Sequence, residues 1–178
     1  MSNFHVMHDL ETAGTVAGCQ VFSIGAVRFA ADGLHEEFYA VPELDTQIAL
    51  GLTQDPDTMA WWADQTEAAR VVLTQEAKLD FREVLTAYRR FLKQWPDVRV
   101  WGNGSDFDNA IVAKCYKVAD VALPWKFWHS RCYRTLKSMS TASGLQRVGT
   151  YHNALDDAKT QAAHLVDILH EKNLWCCL

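Results

Sequence analysis

The chain opens with a short apolar run that ends in two carboxylates one residue apart, Phe4-His5-Val6-Met7-His8-Asp9-Leu10-Glu11-Thr12. Successive side chains of an extended strand alternate between two faces, so Asp9 and Glu11 project from the same face. Two like charges held this close repel each other unless a cation lies between them. Hard divalent cations such as Mg²⁺ or Mn²⁺ prefer oxygen ligands of this kind. The stretch therefore predicts a central strand that carries half of a metal site.

Two further acidic motifs occur farther along the chain. The segment Val98-Arg99-Val100-Trp101 is typical of a strand and Gly102-Asn103-Gly104 of a bend, after which Ser105 or Asp106 could cap a helix that runs toward Ala119. This arrangement places Asp106 and Asp108 between a strand and a helix. The third motif is His152-Asn153-Ala154-Leu155-Asp156-Asp157, at the start of a helix predicted from about Asn153 to His170.

The remaining periodicity indicates the class of fold. Residues 21–29 and 37–41 are typical of two more strands, separated by the turn signal Asp32-Gly33. Residues 81–95 have apolar side chains at the i, i+3, i+4 and i+7 positions of an amphipathic helix. This order of elements predicts an α/β domain with a mixed central sheet flanked by helices. We expect a single domain over residues 1–178, with 171–178 as a possible C-terminal tail.

Composition narrows the class of protein. With 178 residues, 49% of them hydrophobic and 22% charged, the chain is an ordinary globular one. It has no apolar run of the roughly 20 residues that a membrane span needs and no leader-like start, so we expect a cytoplasmic protein without a membrane partner. Five scattered cysteines without paired spacing favour reduced thiols over disulfides or zinc. The adjacent Cys176 and Cys177 could be lipidated or pack on the domain, and packing is favoured because the tail does not fit C-a-a-X.

A net charge of −5 argues mildly against a protein that coats nucleic acid. The argument weakens if several of the carboxylates hold divalent ions, because the cations offset their charge. The local distribution of charge is then a better guide to nucleic-acid binding than the net charge. The densest basic segment runs from Lys126 to Arg131 and continues through Arg134 and Lys137.

Taken together, Asp9-x-Glu11-Thr12, Phe107-Asp108 and His152-x-Ala154-x-x-Asp157 resemble, in order, the three motifs of the DEDDh 3′–5′ exonucleases, which have the ribonuclease H-like fold. Longer strings are similar to a phage and bacterial subgroup that includes the T4-type exonuclease A and the mycobacterial-type exoribonucleases. These strings are Trp101-Gly102-Asn103-Gly104 with Phe107-Asp108-Asn109, and Pro124-Trp125-Lys126-Phe127-Trp128 with Arg131-Cys132-Tyr133-Arg134-Thr135-Leu136.

The resemblance implies a sheet with three initial, largely antiparallel strands and later parallel additions. It implies two divalent cations, Mg²⁺ or Mn²⁺, and a histidine base, with the 3′ end of single-stranded DNA or RNA as partner and nucleoside 5′-monophosphates as products. It points to a bacterial or phage-infected host cytoplasm. Family position selects Asp108 over Asp106 and Asp157 over Asp156. The implied catalytic residues are the metal ligands Asp9, Glu11, Asp108 and Asp157 and the base His152, whose type of side chain titrates near neutral pH.

Other residues are candidates for substrate binding: Thr12, Trp62, Asn103, Phe107, Arg131 and Arg134. Trp61 and Trp62 could stack on bases, although adjacent helical residues cannot share one face and at least one should pack in the core. Arg131, Arg134 and Lys137 have the i, i+3 spacing of one helix side, which suits either a grip on the nucleic-acid backbone or a solvated face. His8 should point away from Asp9, which favours a structural role.

Two other functions are compatible with the same acidic residues and histidine. One is a nucleic-acid-binding module with a decayed site, which the five filled catalytic positions disfavour. The other is a metal-dependent phosphohydrolase of small nucleotides or phosphoesters, which the acids alone do not exclude. The sequence leaves the choice between DNA and RNA open, and also the oligomeric state, a homodimer included.

Overall fold

A computed structural model describes residues 4–76, 79–142 and 145–175. Its centre is a five-stranded sheet in the order β3-β2-β1-β4-β5. The first three strands pair antiparallel, and β4 and β5 are added parallel to β1, which confirms the predicted mixed sheet. The strands are β1 (His5–Thr12), β2 (Val21–Ala30), β3 (Gly33–Ala40), β4 (Arg99–Gly102) and β5 (Ser130–Cys132).

Helices connect the strands and cover the sheet. They are α1 (Leu44–Ile48), α2 (Pro56–Ala63), α3 (Glu67–Thr74), α4 (Phe81–Lys93), α5 (Asp108–Val118), α6 (Tyr133–Ser138) and α7 (Ala154–Glu171), with a 3₁₀ turn at Phe127–His129. None of the helices within the described ranges is long and apolar enough to cross a membrane.

The alternation of β1 divides the apolar core between two faces of the sheet. Val6 and Leu10 pack with α4 and α5, whereas Met7 packs with α7. Side chains cap two of these helices: Asp80 caps α4, accepting a hydrogen bond from the Arg82 amide at 2.7 Å, and Asn153 caps α7. Both faces of β1 are therefore buried, and its carboxyl end carries the two acids.

A glycine brings the first turn of α7 close to the sheet. Gly25 pairs with Asp9 across β1 and β2, and a Cβ atom at this position would lie 2.2 Å from the carbonyl carbon of Ala154. Because that separation is far inside van der Waals contact, only glycine permits the present packing. The start of α7 therefore lies directly over the acidic end of β1.

Two local predictions were wrong. Neither Ser105 nor Asp106 caps α5, which begins after Phe107 without a side-chain cap, and Asp106 is exposed. Arg131 does not share a helix face with Arg134 and Lys137, because it lies in β5 while they lie in α6. The i, i+3 spacing failed here because a strand ends and a helix begins between Arg131 and Arg134. The backbone at Arg131 is extended because β5 pairs with β4, and local periodicity does not reveal such pairing.

The C-terminal end packs on the face that α7 covers. Leu174 and Trp175 contact this core, and the Trp175 ring lies 5.7 Å from the ring of His5. Cys176 and Cys177 lie outside the described residues, so both possibilities for them stay predictions. Cys19, Cys115 and Cys132 are free thiols.

Candidate active site

Four predicted acidic ligands and the predicted base come from three parts of the chain. Asp9 and Glu11 lie at the end of β1, Asp108 is the first residue of α5, Asp157 is the fourth residue of α7, and His152 precedes α7. Potential ligand atoms of Glu11, His152 and Asp157 all lie within 4.8 Å of one another. The fold thus brings distant motifs to one place.

Burial and mutual repulsion make this cluster reluctant to carry negative charge. Burial, then the charges of Asp108, Glu11 and Asp157, raise the pKa of Asp9 well above its usual value. Burial and the same kind of repulsion raise the pKa of Glu11 to about 8, and burial raises the pKa of Asp108 to about 7. The carboxylates therefore need protons or cations beside them at neutral pH.

The donor set fits divalent cations. Oδ2 of Asp108 is buried and has no hydrogen-bond partner among the residues that the structure describes, so it is available as a ligand. Asp9 keeps one carboxylate oxygen oriented by a 2.7 Å hydrogen bond from the Gln161 amide. Oxygen ligands of this type suit Mg²⁺ or Mn²⁺. A Cβ at Gly102 would lie 3.0 Å from Asp108 Oδ2, so this glycine leaves room for the acid.

His152 is held between the acids and two aromatic rings. Its backbone has a φ of 59°, in the left-handed region. Its ring meets the rings of Trp61 and Trp62 edge-on, at centroid distances of 5.1 and 5.8 Å. The two indoles of α2 thus restrict where the imidazole can lie.

The two adjacent tryptophans differ in burial, which decides between core packing and base stacking for each. Trp62 is 2% exposed, and its Nε1 donates a hydrogen bond to the Thr12 carbonyl at 2.9 Å. Trp61 is 45% exposed. Core packing therefore belongs to Trp62, which the sequence had proposed for substrate contact, and the accessible ring is that of Trp61.

These residues surround a cavity of about 630 Å³. The predicted residues on its wall are Asp9, Glu11, Thr12, Trp62, Asn103, Phe107, His152 and Asp157. The structure adds Trp61 and the polar residues Thr15, Asp55, Asp57 and Thr58. Asp55 is also the cap of α2, so the sequence signal for it was that of a helix start.

The two predicted arginines have different positions. Arg134 is exposed, a Cβ at Gly104 would lie 3.6 Å from it, and its charge acts to lower the pKa of Asp108. Arg131 donates hydrogen bonds to the carbonyls of Trp128 and Ser130 and is not part of the cavity wall. Of these two arginines, Arg134 is the one that lies near the acids.

The sequence did not identify Arg147, which contacts the cluster. Its guanidinium pairs with Asp157, donates to the Thr150 carbonyl and lies 4.4 Å from the Tyr151 ring centroid. Its positive charge acts to lower the pKa of Glu11. No local pattern marks this residue, because its role depends on how the segment before His152 folds back over α7.

The residues rejected on sequence grounds lie elsewhere. His8 is buried on the opposite face, 3.0 Å from the Tyr88 hydroxyl and 3.2 Å from Asn109 Oδ1, as a structural role requires. Asp156 accepts a hydrogen bond from the Thr150 amide at 2.8 Å. Asp106 is exposed to solvent.

Comparisons with known proteins agree with this geometry. A sequence profile of the Rv2179c-like 3′–5′ exoribonuclease domain matches residues 4–169. No curated protein matches the sequence significantly. The fold is similar to the nuclease domain of 3′hExo, a DEDDh family member bound to rAMP, with a TM-score of 0.62, 13% identity and coverage of 95% of this chain and 92% of that one.

Two DNA-bound structures have the same fold. Exonuclease X in complex with 5′ overhanging duplex DNA gives a TM-score of 0.60 at 16% identity, with coverage of 95% and 93%. E. coli exonuclease I in complex with a 5cy-dT13 oligonucleotide gives 0.66 at 14% identity, and this chain spans 99% of its own length but only 43% of that protein.

The family match identifies a 3′–5′ exonuclease domain, and its fold is similar to that of a DEDDh exonuclease. Within that class, the chain belongs to the family of Rv2179c-like 3′–5′ exoribonuclease domains.

Proposed function

We propose that this domain removes nucleotides from the 3′ end of single-stranded nucleic acid and releases nucleoside 5′-monophosphates. The observation that carries the proposal is the convergence of Asp9, Glu11, Asp157 and His152 on one cavity. Asp108 is buried behind the cavity wall, close enough that its charge helps to raise the pKa values of Asp9 and Glu11. A carboxylate cluster that resists ionisation is suited to holding metal ions against a phosphodiester.

The four acids would hold two divalent cations, Mg²⁺ or Mn²⁺. Bound ions would supply Lewis-acid stabilisation of the charge that develops on the phosphoryl oxygens. The chain's own contribution is to orient the ligands: Gln161 directs Asp9, and the backbone of β1 holds Glu11 on the same face. Arg147 pairs with Asp157, so an ion held by Asp157 would share this carboxylate with the guanidinium.

His152 is the proposed general base. Its imidazole lies beside Glu11 and Asp157, where it can take a proton from a water molecule that attacks the terminal phosphodiester. The bond between phosphorus and the 3′ oxygen of the preceding nucleotide then breaks, and that oxygen takes a proton from solvent to become the 3′ hydroxyl of the shortened strand. The edge contacts with Trp61 and Trp62 keep the imidazole on the cavity side of its loop.

The cavity wall suits a terminal nucleotide. Its volume of about 630 Å³ falls in the range of small-ligand pockets. The exposed ring of Trp61 and the partly exposed ring of Phe107 can stack on any base, because stacking does not depend on base identity. The family description favours RNA, and the comparison of RNA with DNA is therefore part of the test.

The test uses 5′-labelled RNA and DNA 12-mers of one sequence, with Mn²⁺, with Mg²⁺ and with EDTA. We expect stepwise shortening from the 3′ end only when metal is present. Asp108→Asn should abolish the shortening, because it removes a buried ligand, whereas Asp106→Asn should leave it unchanged, because that side chain is in solvent.

Two results would contradict the proposal. Binding of the oligonucleotides without shortening would indicate a module with a decayed site. Turnover of nitrophenyl phosphoesters without oligonucleotide shortening would indicate a small-ester phosphohydrolase.

A further inference from the structure

A long segment in the C-terminal half of the chain, residues 121–155, has no acidic residue, although the chain as a whole has a net charge of −5. Between Asp120 and Asp156 the sequence contains no aspartate or glutamate. The cations in this interval are Lys126, Arg131, Arg134, Lys137 and Arg147. The segment includes β5, the exposed edge of the sheet, and it ends beside the active site.

At the start of this segment two large aromatic side chains are exposed. Phe127 is 80% exposed and Trp128 is 55% exposed, and their rings are perpendicular at a centroid distance of 4.8 Å. Lys126 lies over the Trp128 ring at 5.6 Å. Aromatic residues of this size are usually buried, so an exposed adjacent pair indicates a binding surface.

Two cations contact this pair: Lys126 lies over the Trp128 ring, and Arg131 donates a hydrogen bond to the Trp128 carbonyl at 2.7 Å. Arg99 and Arg131 lie close enough for their charges to repel, since the charge of Arg99 acts with burial to lower the pKa of Arg131. Burial and the charges of Arg99, Lys126 and Arg131 lower the pKa of His129. Asp97 is the acid paired with Lys126, and both members of that pair are more than half exposed, so the pair is weak.

We propose that this edge platform, made of Arg99, Lys126, Phe127, Trp128 and Arg131, binds the part of the single strand that lies 5′ of the nucleotide being removed. The combination of cations with exposed rings matches the phosphates and bases of an unpaired strand. The inference rests on the proposed function, because it assigns the platform to the same substrate.

The position of the platform fits this role. Gly102, where β4 ends before Asp108, pairs with Cys132 of β5, so the far end of β5 adjoins the active-site end of the sheet. Phe127 lies five residues before Cys132, which corresponds to on the order of 15 Å along the sheet edge. This span corresponds to a few nucleotides of single strand, given about 3.4 Å per stacked nucleotide. Arg134, beside Gly104, is a further cation at the active-site end of the sheet.

A binding measurement tests the platform independently of catalysis. Anisotropy of labelled 4-mer and 16-mer strands is measured in EDTA, so that no cleavage is required. We expect the double variant Phe127→Ala, Trp128→Ala to weaken binding of the 16-mer about tenfold, because stacking contributes this much or more per base, and to leave the 4-mer unchanged. Ile48→Ala, a change of another exposed apolar side chain, is the control and should alter neither.

A second variant tests the charge. Lys126→Gln should reduce the slope of log affinity against log salt for the 16-mer by about 0.7, the value for one phosphate contact on a single strand. Lys172→Gln, whose lysine pairs with Glu171, should leave that slope unchanged.

The outcomes distinguish the two proposals. Loss of 16-mer affinity in a protein that does not shorten any strand would keep the platform and overturn the exonuclease proposal. Unchanged 16-mer affinity in the aromatic double variant, or an equal loss for both lengths, would overturn the platform. A change from dimer to monomer in that variant without a length-dependent loss would overturn it too, and would assign the surface to contact between copies.

Discussion

At the scale of single residues, the carboxyl groups of Glu11 and Asp108 have pKa values well above those of free carboxyl groups. Their pKa values rise to about 8 and about 7 in the folded protein, from ordinary values of 4.5 and 3.8. At pH values between the ordinary pKa and the raised pKa of each group, the folded protein binds more protons than the unfolded chain. The free energy of unfolding therefore falls as pH rises.

This difference predicts the pH dependence of the metal-free protein. In EDTA, the free energy of unfolding should decrease by several kcal/mol between pH 4 and pH 8, because the folded state must give up protons that the cluster retains and each unit of pKa difference corresponds to about 1.4 kcal/mol. Urea unfolding at several pH values measures the change. Asp108→Asn should flatten the dependence and Asp106→Asn should not. A stability that increases over this range would show that the carboxyls are not destabilised by burial.

His152 is the other residue whose role is tested singly. His152→Ala should lower kcat about 10²- to 10⁴-fold, the usual contribution of a general base, and should leave Mn²⁺ affinity nearly unchanged. Steady-state kinetics and Mn²⁺ titration followed by electron paramagnetic resonance measure the two effects. His35→Ala, at an exposed histidine paired with Asp32, is the control and should change neither. Full activity without His152 would remove it from the mechanism.

At the scale of elements, the site depends on how closely α7 approaches β2. Gly25 is the contact point, and Asp157 lies one turn into the helix that it admits. A displacement of this helix moves a ligand relative to the acids of β1. The helix is therefore part of the site, in addition to its role in covering the sheet.

The close approach predicts the effect of one methyl group. Gly25→Ala should destabilise the protein by about 1–3 kcal/mol, the cost of overpacking, and should weaken Mn²⁺ binding because α7 must move. Val98→Ala, a buried change just before β4 in the core on the face opposite α7, should destabilise without weakening Mn²⁺ binding. Denaturation and Mn²⁺ titration of both variants make the comparison. Equal Mn²⁺ affinity in Gly25→Ala and the wild type would show that the helix can shift without affecting the ligands.

At the scale of the whole molecule, the acids connect segments that are about 150 positions apart in the chain, since Asp9 and Asp157 contribute to one cluster. Ions that bind only the assembled cluster stabilise the folded state by mass action. Metal occupancy and global stability are therefore coupled.

This coupling predicts that the thermal midpoint rises with the concentration of Mn²⁺. At 100 times Kd, one site should add about 2.7 kcal/mol to the free energy of unfolding. Calorimetry at increasing Mn²⁺ concentration tests the dependence. Asp9→Asn should remove most of it, whereas Asp167→Asn, at an exposed acid of α7, should preserve it. An equal increase in both variants would place the ion elsewhere.

The sequence pattern was sufficient to predict the helices and strands that are specified by their own residues. Alternation on β1 predicted that Asp9 and Glu11 share a face, the apolar stripe predicted α4 to within two residues of its end, and Asn153 marked the start of α7. The order of the motifs pointed to the family, to which the chain belongs. These features are local, so neighbouring residues carry the signal.

Other features depend on contacts between distant segments. Trp62 rather than Trp61 is buried because the Thr12 carbonyl and Phe22 receive its ring, and Arg131 is extended because β4 pairs with it. Arg147 reaches Asp157 because its loop folds over α7. Periodicity determines which side of an element a residue occupies, but the partner that it meets there depends on how the other elements pack, and that information lies outside any local stretch of sequence.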